Sequence, residues 1–240
     1  AYFEHPDYVP LLKRSFQLWD ELAEESGMPC LLRIGALFAG PADSEVYAGS
    51  LRSAREHELA IQELDHKTLC ERYPQFAFDS DTVGVFEPTA GLVIPENGIA
   101  AHLELAERDG ADIRENIKVE SVETSDTGIV VRTSSGSLRA ERLVVTAGAW
   151  TSRFISCPGM PLEVHRKVFC WFEPLDLEAC DSARMPVWII GGGRSAHAGD
   201  YYGIPTWVTQ PGPRGVKVGF HGPGTIVDPD TCARTVPEDV

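Results

Sequence analysis

Several things are missing from this sequence, and each absence closes off a class of function. It has no apolar run near the roughly 20 residues that a membrane-spanning helix needs. Its opening, Ala1-Tyr2-Phe3-Glu4-His5-Pro6, has neither the basic nor the apolar region of a secretory signal. The expected location is therefore cytoplasmic. Basic residues are few and scattered: 21 Lys and Arg stand against 36 Asp and Glu, a formal net charge of -15. Such a chain repels phosphate backbones and anionic surfaces, so neither a nucleic acid nor a membrane is expected as a partner. The cysteines at 30, 70, 157, 170, 180 and 232 form no C-x-x-C pair, and the histidines show no ligand spacing. Neither a metal site nor a disulfide framework is expected, and the thiols are read as buried and reduced. Internal repeats and low-complexity segments are also absent.

What is present is enough for one large domain or two small ones with a sizeable core: 240 residues, 43% of them hydrophobic. Leu11, Leu12, Phe16, Trp19 and Leu22 recur at helical spacing after Asp7, a candidate cap, and Gly27-Met28-Pro29 ends that helix. A strand over Leu32–Phe38 follows, then a helix from Ser44 to about Leu59, a strand at Ile61–Leu64 and a short helix over Asp65–Tyr73. Strands are expected at Val83–Glu87 and Gly91–Ile94, then a helix over Glu96–Arg108 ended by Gly110. From 112 to 149 the pattern changes to four short strands, Ile113–Ile117, Val119–Thr124, Ile129–Thr133 and Leu138–Ala147, with two hairpin connections. The apolar run Leu143–Ala147 reads as a strand buried on both faces. A short helix at Ser152–Ile155 leads to strands at Val164–Phe172, Val187–Ile190, Gly203–Trp207 and Val216–Phe220.

Three segments invite a functional reading. Gly191-Gly192-Gly193-Arg194-Ser195-Ala196 matches G-x-G-x-x-A after a strand, but a dinucleotide fingerprint must open a helix. The following Gly199, Asp200, Gly203 and Pro205 oppose a helix, so a glycine hairpin loop is the better reading. Ser195 beside His197 lacks a nucleophile-elbow context. The second segment, Val145-Thr146-Ala147-Gly148-Ala149-Trp150, is an apolar strand ending in a small-residue turn where a backbone could approach a flat cofactor. A plain strand-to-helix turn with a core tryptophan is the alternative. The third pairs Asp200-Tyr201-Tyr202-Gly203-Ile204-Pro205 with Val216-Lys217-Val218-Gly219-Phe220-His221. Strand alternation puts Lys217, Gly219 and His221 on one face, where glycine leaves room for a flat ligand and lysine supplies fixed charge. Solvation of both side chains at an edge is the bland alternative.

Taken in order, Tyr8-Val9-Pro10-Leu11, Phe86-Glu87-Pro88-Thr89-Ala90-Gly91, Val145–Trp150, Tyr201–Pro205 and Val216–His221 resemble the monomeric sarcosine oxidase and N-methyltryptophan oxidase family of FAD-dependent amine oxidases. The resemblance runs from Ala1 to about Asp230. It implies a mixed α/β fold in which a partial FAD-binding, Rossmann-like domain (1–29 and 97–156) is interleaved with a mixed-sheet substrate domain (30–96 and 157–240). It implies hydride transfer from the carbon beside a secondary amine to flavin, hydrolysis of the imine to an aldehyde, and reoxidation by dioxygen to hydrogen peroxide. By position, Lys217 corresponds to the family's oxygen-activating lysine, and Tyr202 and His221 to its substrate pocket. Thr146, Gly148, Ala149 and Trp150 correspond to a flavin-contacting turn, and Val119 to the backbone position on the adenine side. The partners implied are a small secondary amino acid and dioxygen. The family's G-x-G-x-x-G unit would precede Ala1 and its flavin-tethering cysteine would follow Val240. The chain is thus expected to be a central fragment, inactive by itself and unable to hold FAD alone. The alternatives are another flavin amino-acid oxidase or dehydrogenase of the same fold, or a non-enzymatic remnant.

Overall fold

A computed structural model describes residues 2–126, 128–155, 159, 161–192, 199–207 and 215–236. In chain order the elements are α1 (Tyr8–Ser26), β1 (Leu31–Leu32), β2 (Ala36–Pro41), α2 (Glu45–Glu56), β3 (Gln62–Leu64), α3 (His66–Arg72), β4 (Thr82–Glu87), β5 (Leu92–Val93) and α4 (Pro95–Arg108). Then come β6 (Val119–Ser125), β7 (Gly128–Thr133), β8 (Gly136–Ala140) and a 3-10 helix (Gly148–Arg153). The rest are strands: β9 (His165–Arg166), β10 (Phe169–Phe172), β11 (Val187–Ile190), β12 (Asp200–Ile204), β13 (Val216–His221) and β14 (Thr225–Ile226). The mixed α/β class is as the sequence implies. No described helix is long and apolar enough to cross a membrane.

The chain forms two compact units. The first, Ala1–Asp109 with Val168–Gly222, holds a seven-stranded sheet in the order β10-β13-β12-β11-β2-β4-β3. Its one parallel pair, β11 with β2, joins segments far apart in sequence; its other pairings are antiparallel. One face of the sheet carries the core, where Leu37, Ala39, Leu64, Leu69, Tyr73 and Phe86 cluster. Leu69 reaches this cluster because Asp65 starts α3, its carboxylate accepting the Thr68 N–H at 2.8 Å. Ser44 starts α2 in the same way, accepting from Tyr47 N–H at 3.3 Å. The Trp188 ring lies on the same face, edge-on to Phe76 at 5.3 Å. It passes over Gly203, where any Cβ would overlap it, so only glycine fits there.

Helix α1 starts at Asp7, whose side chain makes no cap bond, and ends at Gly27 in the left-handed conformation (φ 71°). It lies against α4, with Trp19 edge-on to His102 at 6.2 Å.

The second unit, Gly110–Lys167 with Pro223–Val240, contains the antiparallel meander β6-β7-β8 and the short pair β9-β14. One expected strand, 113–117, is absent, and the expected strand Leu138–Ala147 is cut short, only its start lying in β8 (Gly136–Ala140). Asn116 has a left-handed backbone (φ 58°), which breaks the extended run 113–117. Segment 143–147 is not a strand: no described strand lies alongside it, and Val144 is 83% exposed. The expectation of buried thiols also needs correction. The five described cysteines are free, but Cys70 and Cys170 are exposed and only Cys30 is buried. Cys157 lies outside the described residues, as do Ser195, His197 and most of the glycine loop between β11 and β12.

Candidate functional site

The face of the large sheet opposite the core carries the candidate site. Tyr202 pairs with Gly219, midway between Lys217 and His221, and the side chains of Tyr202, Lys217 and His221 belong to that one face. The arrangement depends on Gly219. A Cβ there would come within 2.6 Å of the Tyr202 ring, so glycine lets the ring lie across β13. Asp200 pairs with His221 at the end of the same ladder.

Next to these residues is a cavity of about 810 Å³, walled by β2, β11 and β12, by α1 and by the turn 89–93. That volume is within the usual range for small-molecule sites. Tyr202 lines it; Lys217 and His221 do not. The wall is mainly apolar, with Val9, Leu12, Phe16, Phe38, Ile189 and Ile204. Polar groups enter at a few points. Glu87, a carboxylate on the buried strand β4, is only 7% exposed and accepts the Thr89 hydroxyl at 3.2 Å. Arg33 donates to both Asp20 oxygens, at 2.9 and 2.7 Å, which holds that carboxyl below the usual range. Tyr2 donates to Glu4, and this bond, with burial, pushes the phenol up to about 12. Glu4 also lies 3.4 Å from His221 Nε2, and Phe3 meets the His221 ring edge-on at 5.5 Å. One carboxylate thus links a cavity phenol to the imidazole. Sequence reasoning missed Tyr2 and Arg33, and took Glu87 and Thr89 only as part of a resembling segment, with no role at the site. The one available signal was a lone carboxylate ending the apolar run Val83-Gly84-Val85-Phe86-Glu87.

The remaining predicted residues belong to the second unit. Val119 opens β6, pairs with Thr133 and is 37% exposed. Thr146 is exposed and outside any regular element. Gly148 begins the 3-10 helix with φ 52°, a conformation that suits glycine, and Ala149 and Trp150 follow within it. Trp150 is half-buried. Its indole N–H donates to Asp230 at 2.7 Å, and Arg153 meets the other oxygen of that carboxylate at 2.5 Å.

A flavin can be tested against these features in two halves. A flat, largely apolar ring system fits a large apolar cavity over a sheet face, with Tyr202 in its wall and a lysine on the same face. A pyrophosphate needs free N–H groups at a glycine-rich helix start. Among the described residues, α2 and α3 are already capped by Ser44 and Asp65, and α1 and α4 open at Asp7 and Ile94-Pro95. The ring half fits this chain; the diphosphate half has no cradle among its described residues.

Comparison with known proteins gives a consistent picture. The family model described as FAD dependent oxidoreductase matches residues 1–238. Monomeric sarcosine oxidase of Streptomyces avermitilis is 36% identical over 98% of this chain and 60% of its own length. N-methyl-L-tryptophan oxidase of Salmonella dublin is 32% identical over 95% of this chain and 58% of its own. Among solved structures, NikD, an unusual amino acid oxidase essential for nikkomycin biosynthesis, superposes with a TM-score of 0.75 at 20% identity, covering 97% of this chain and 60% of NikD. The chain spans about 60% of the length of these relatives.

Proposed function

Since this chain belongs to the family of FAD-dependent oxidoreductases, we propose that it supplies the substrate-side wall of an oxidase of secondary, N-methyl amino acids such as sarcosine. The single observation that carries this reading is the grouping of Lys217, Tyr202 and His221 on one sheet face beside an apolar cavity. A bound FAD would supply the hydride acceptor for the carbon beside the amine and the route for the electrons to dioxygen, leaving an imine that water would hydrolyse to an aldehyde. The residues of this chain place and polarise. Tyr202, seated over Gly219, presents its ring to the cavity and orients a small amino acid against the wall. Lys217 contributes a fixed positive charge where negative charge develops during oxygen reduction. His221, its Nε2 3.4 Å from Glu4, is a second polar group on that face. Apolar side chains exclude water from the space between. In this reading 1–29 and 97–156 belong to the flavin side and 30–96 and 157–240 to the substrate side. Val119, Thr146, Gly148, Ala149 and Trp150 then form the flavin-facing turn and its neighbour, and the protein works in the cytoplasm.

The test is a visible spectrum and a peroxide assay on the intact protein with sarcosine and N-methyltryptophan. Flavin absorbance, bleached by substrate and restored by air with stoichiometric peroxide, is the expected result. Bleaching without peroxide would make the protein a dehydrogenase. A protein that takes up no flavin would not be an oxidase at all.

A further inference from the structure

Lys217 has an unusual set of neighbours. On its strand β13 it pairs with Trp171 of the edge strand β10, while Phe169 pairs with Gly219 two residues along. The lysine leans along the strand toward Phe169. Its Nζ lies 4.2 Å from the Phe169 ring centroid and 5.4 Å from that of Trp171. The two rings meet edge to face, at 6.0 Å and 81°, so each limits the other's motion. Both are more than 40% exposed. Among the described residues no carboxylate pairs with Lys217, although the chain carries 36 acidic residues.

We infer that Phe169 and Trp171 are positioning residues that hold the Lys217 ammonium by their ring faces, fixing its place without neutralising its charge; this rests on the reading of Lys217 as the charge that assists oxygen reduction. The physical point is the choice of restraint. A carboxylate at hydrogen-bond distance would immobilise the ammonium but cancel its field. A ring quadrupole attracts the cation while leaving a full positive charge to act outward. A lysine that must be both still and uncompensated is better held by aromatic faces than by an acid. Phe169 is the nearer and is the principal clamp; Trp171 supports it from the directly paired position.

The experiment uses the intact flavoprotein. Its lysines are reductively methylated with a ¹³C label, which preserves their charge, and the Lys217 signal is assigned by its loss in Lys217→Met. That signal is expected upfield of the other lysines through ring currents, to move back toward them in Phe169→Leu, and to stay upfield in Phe169→Tyr. Trp171→Leu moves it less than Phe169→Leu. Stopped-flow traces of Phe169→Leu are expected to show flavin reoxidation slowed about two- to fivefold, the scale of one exposed cation–π contact, with flavin reduction unchanged. An unshifted Lys217 signal, or a Phe169→Leu variant that moves neither the signal nor reoxidation, overturns the clamp. If the ring shift is present and lost in Phe169→Leu, yet Lys217→Met reoxidises normally, the clamp stands and the oxygen role of Lys217 falls.

Discussion

Trp150 is tied to the chain's far end by a single carboxylate, and this makes its behaviour predictable. Asp230 accepts the indole N–H and meets Arg153, and these two interactions hold its carboxyl below the ordinary range. A depressed folded value means the contribution is complete above the unfolded value, about 3.9, and is lost as pH falls through the lowered one. The Trp150 indole resonance should therefore stay constant from neutral pH to about 4 and move only below it, and Asp230→Asn should abolish that movement. A midpoint well above 4 would show that Asp230 is not the acceptor. An added Cβ at Gly219 would meet the Tyr202 ring at 2.6 Å, so Gly219→Ala should cost about 1–3 kcal/mol in urea unfolding, as overpacking does. A cost indistinguishable from zero would mean that the ring does not rest on β13. Strand alternation alone placed Lys217, Gly219 and His221 on one face, so that part of the site was legible. Arg33, Glu87 and Thr89 were not, because two separate segments, the link between β1 and β2 and the end of β4, bring them to the cavity and no local pattern joins the two.

Among elements, the helices were the most legible, because their starts and stops are local chemistry. Ser44 and Asp65 both cap by accepting a backbone N–H three residues on, whereas Asp7 only occupies its position. Ser44→Ala should then lower stability by about 0.5–2 kcal/mol, and Asp7→Ala by less than about 0.5; equal losses in thermal unfolding would contradict this difference. Strands are less legible because half of what makes them lies elsewhere. The run Leu143-Val144-Val145-Thr146-Ala147 has every local feature of a buried parallel strand. A strand also needs ladder partners for its N–H and C=O groups, and no described strand provides them. At 113–117 one residue decided the outcome: Asn116 tolerates the left-handed region and uses it. The parallel register of β11 against β2 was equally hidden, since it joins Val187 to Ala36 across more than half of the chain.

At the scale of the whole molecule, hydrophobic burial is unevenly distributed. Among the described residues, all the buried apolar ones belong to the first unit, from Val9 and Leu37 to Ile189 and Val216. In the second unit the one buried residue among those described is Thr133, while Leu143, Val144, Leu138 and Ile226 are exposed. A meander of three strands with few buried apolar contacts is marginal, since backbone hydrogen bonds contribute little net stability when water competes for them. The seven-stranded sheet has a core cluster on one face and helices docked along it, so the amides of its central strands should open only with global unfolding. The chain should accordingly show two classes of hydrogen exchange. Amides of β2, β4 and β11 should exchange with the highest opening free energies, and those of β6, β7 and β8 with values lower by several kcal/mol. Exchange of the meander is the more telling half, because its exposed apolar side chains are what a covering surface would protect. If exchange were measured with FAD added and the meander became as slow as the sheet, the cofactor would have supplied that cover. If both units already exchanged at one rate without it, the uneven distribution of buried residues would have no energetic consequence, and the meander would be part of a single cooperative unit.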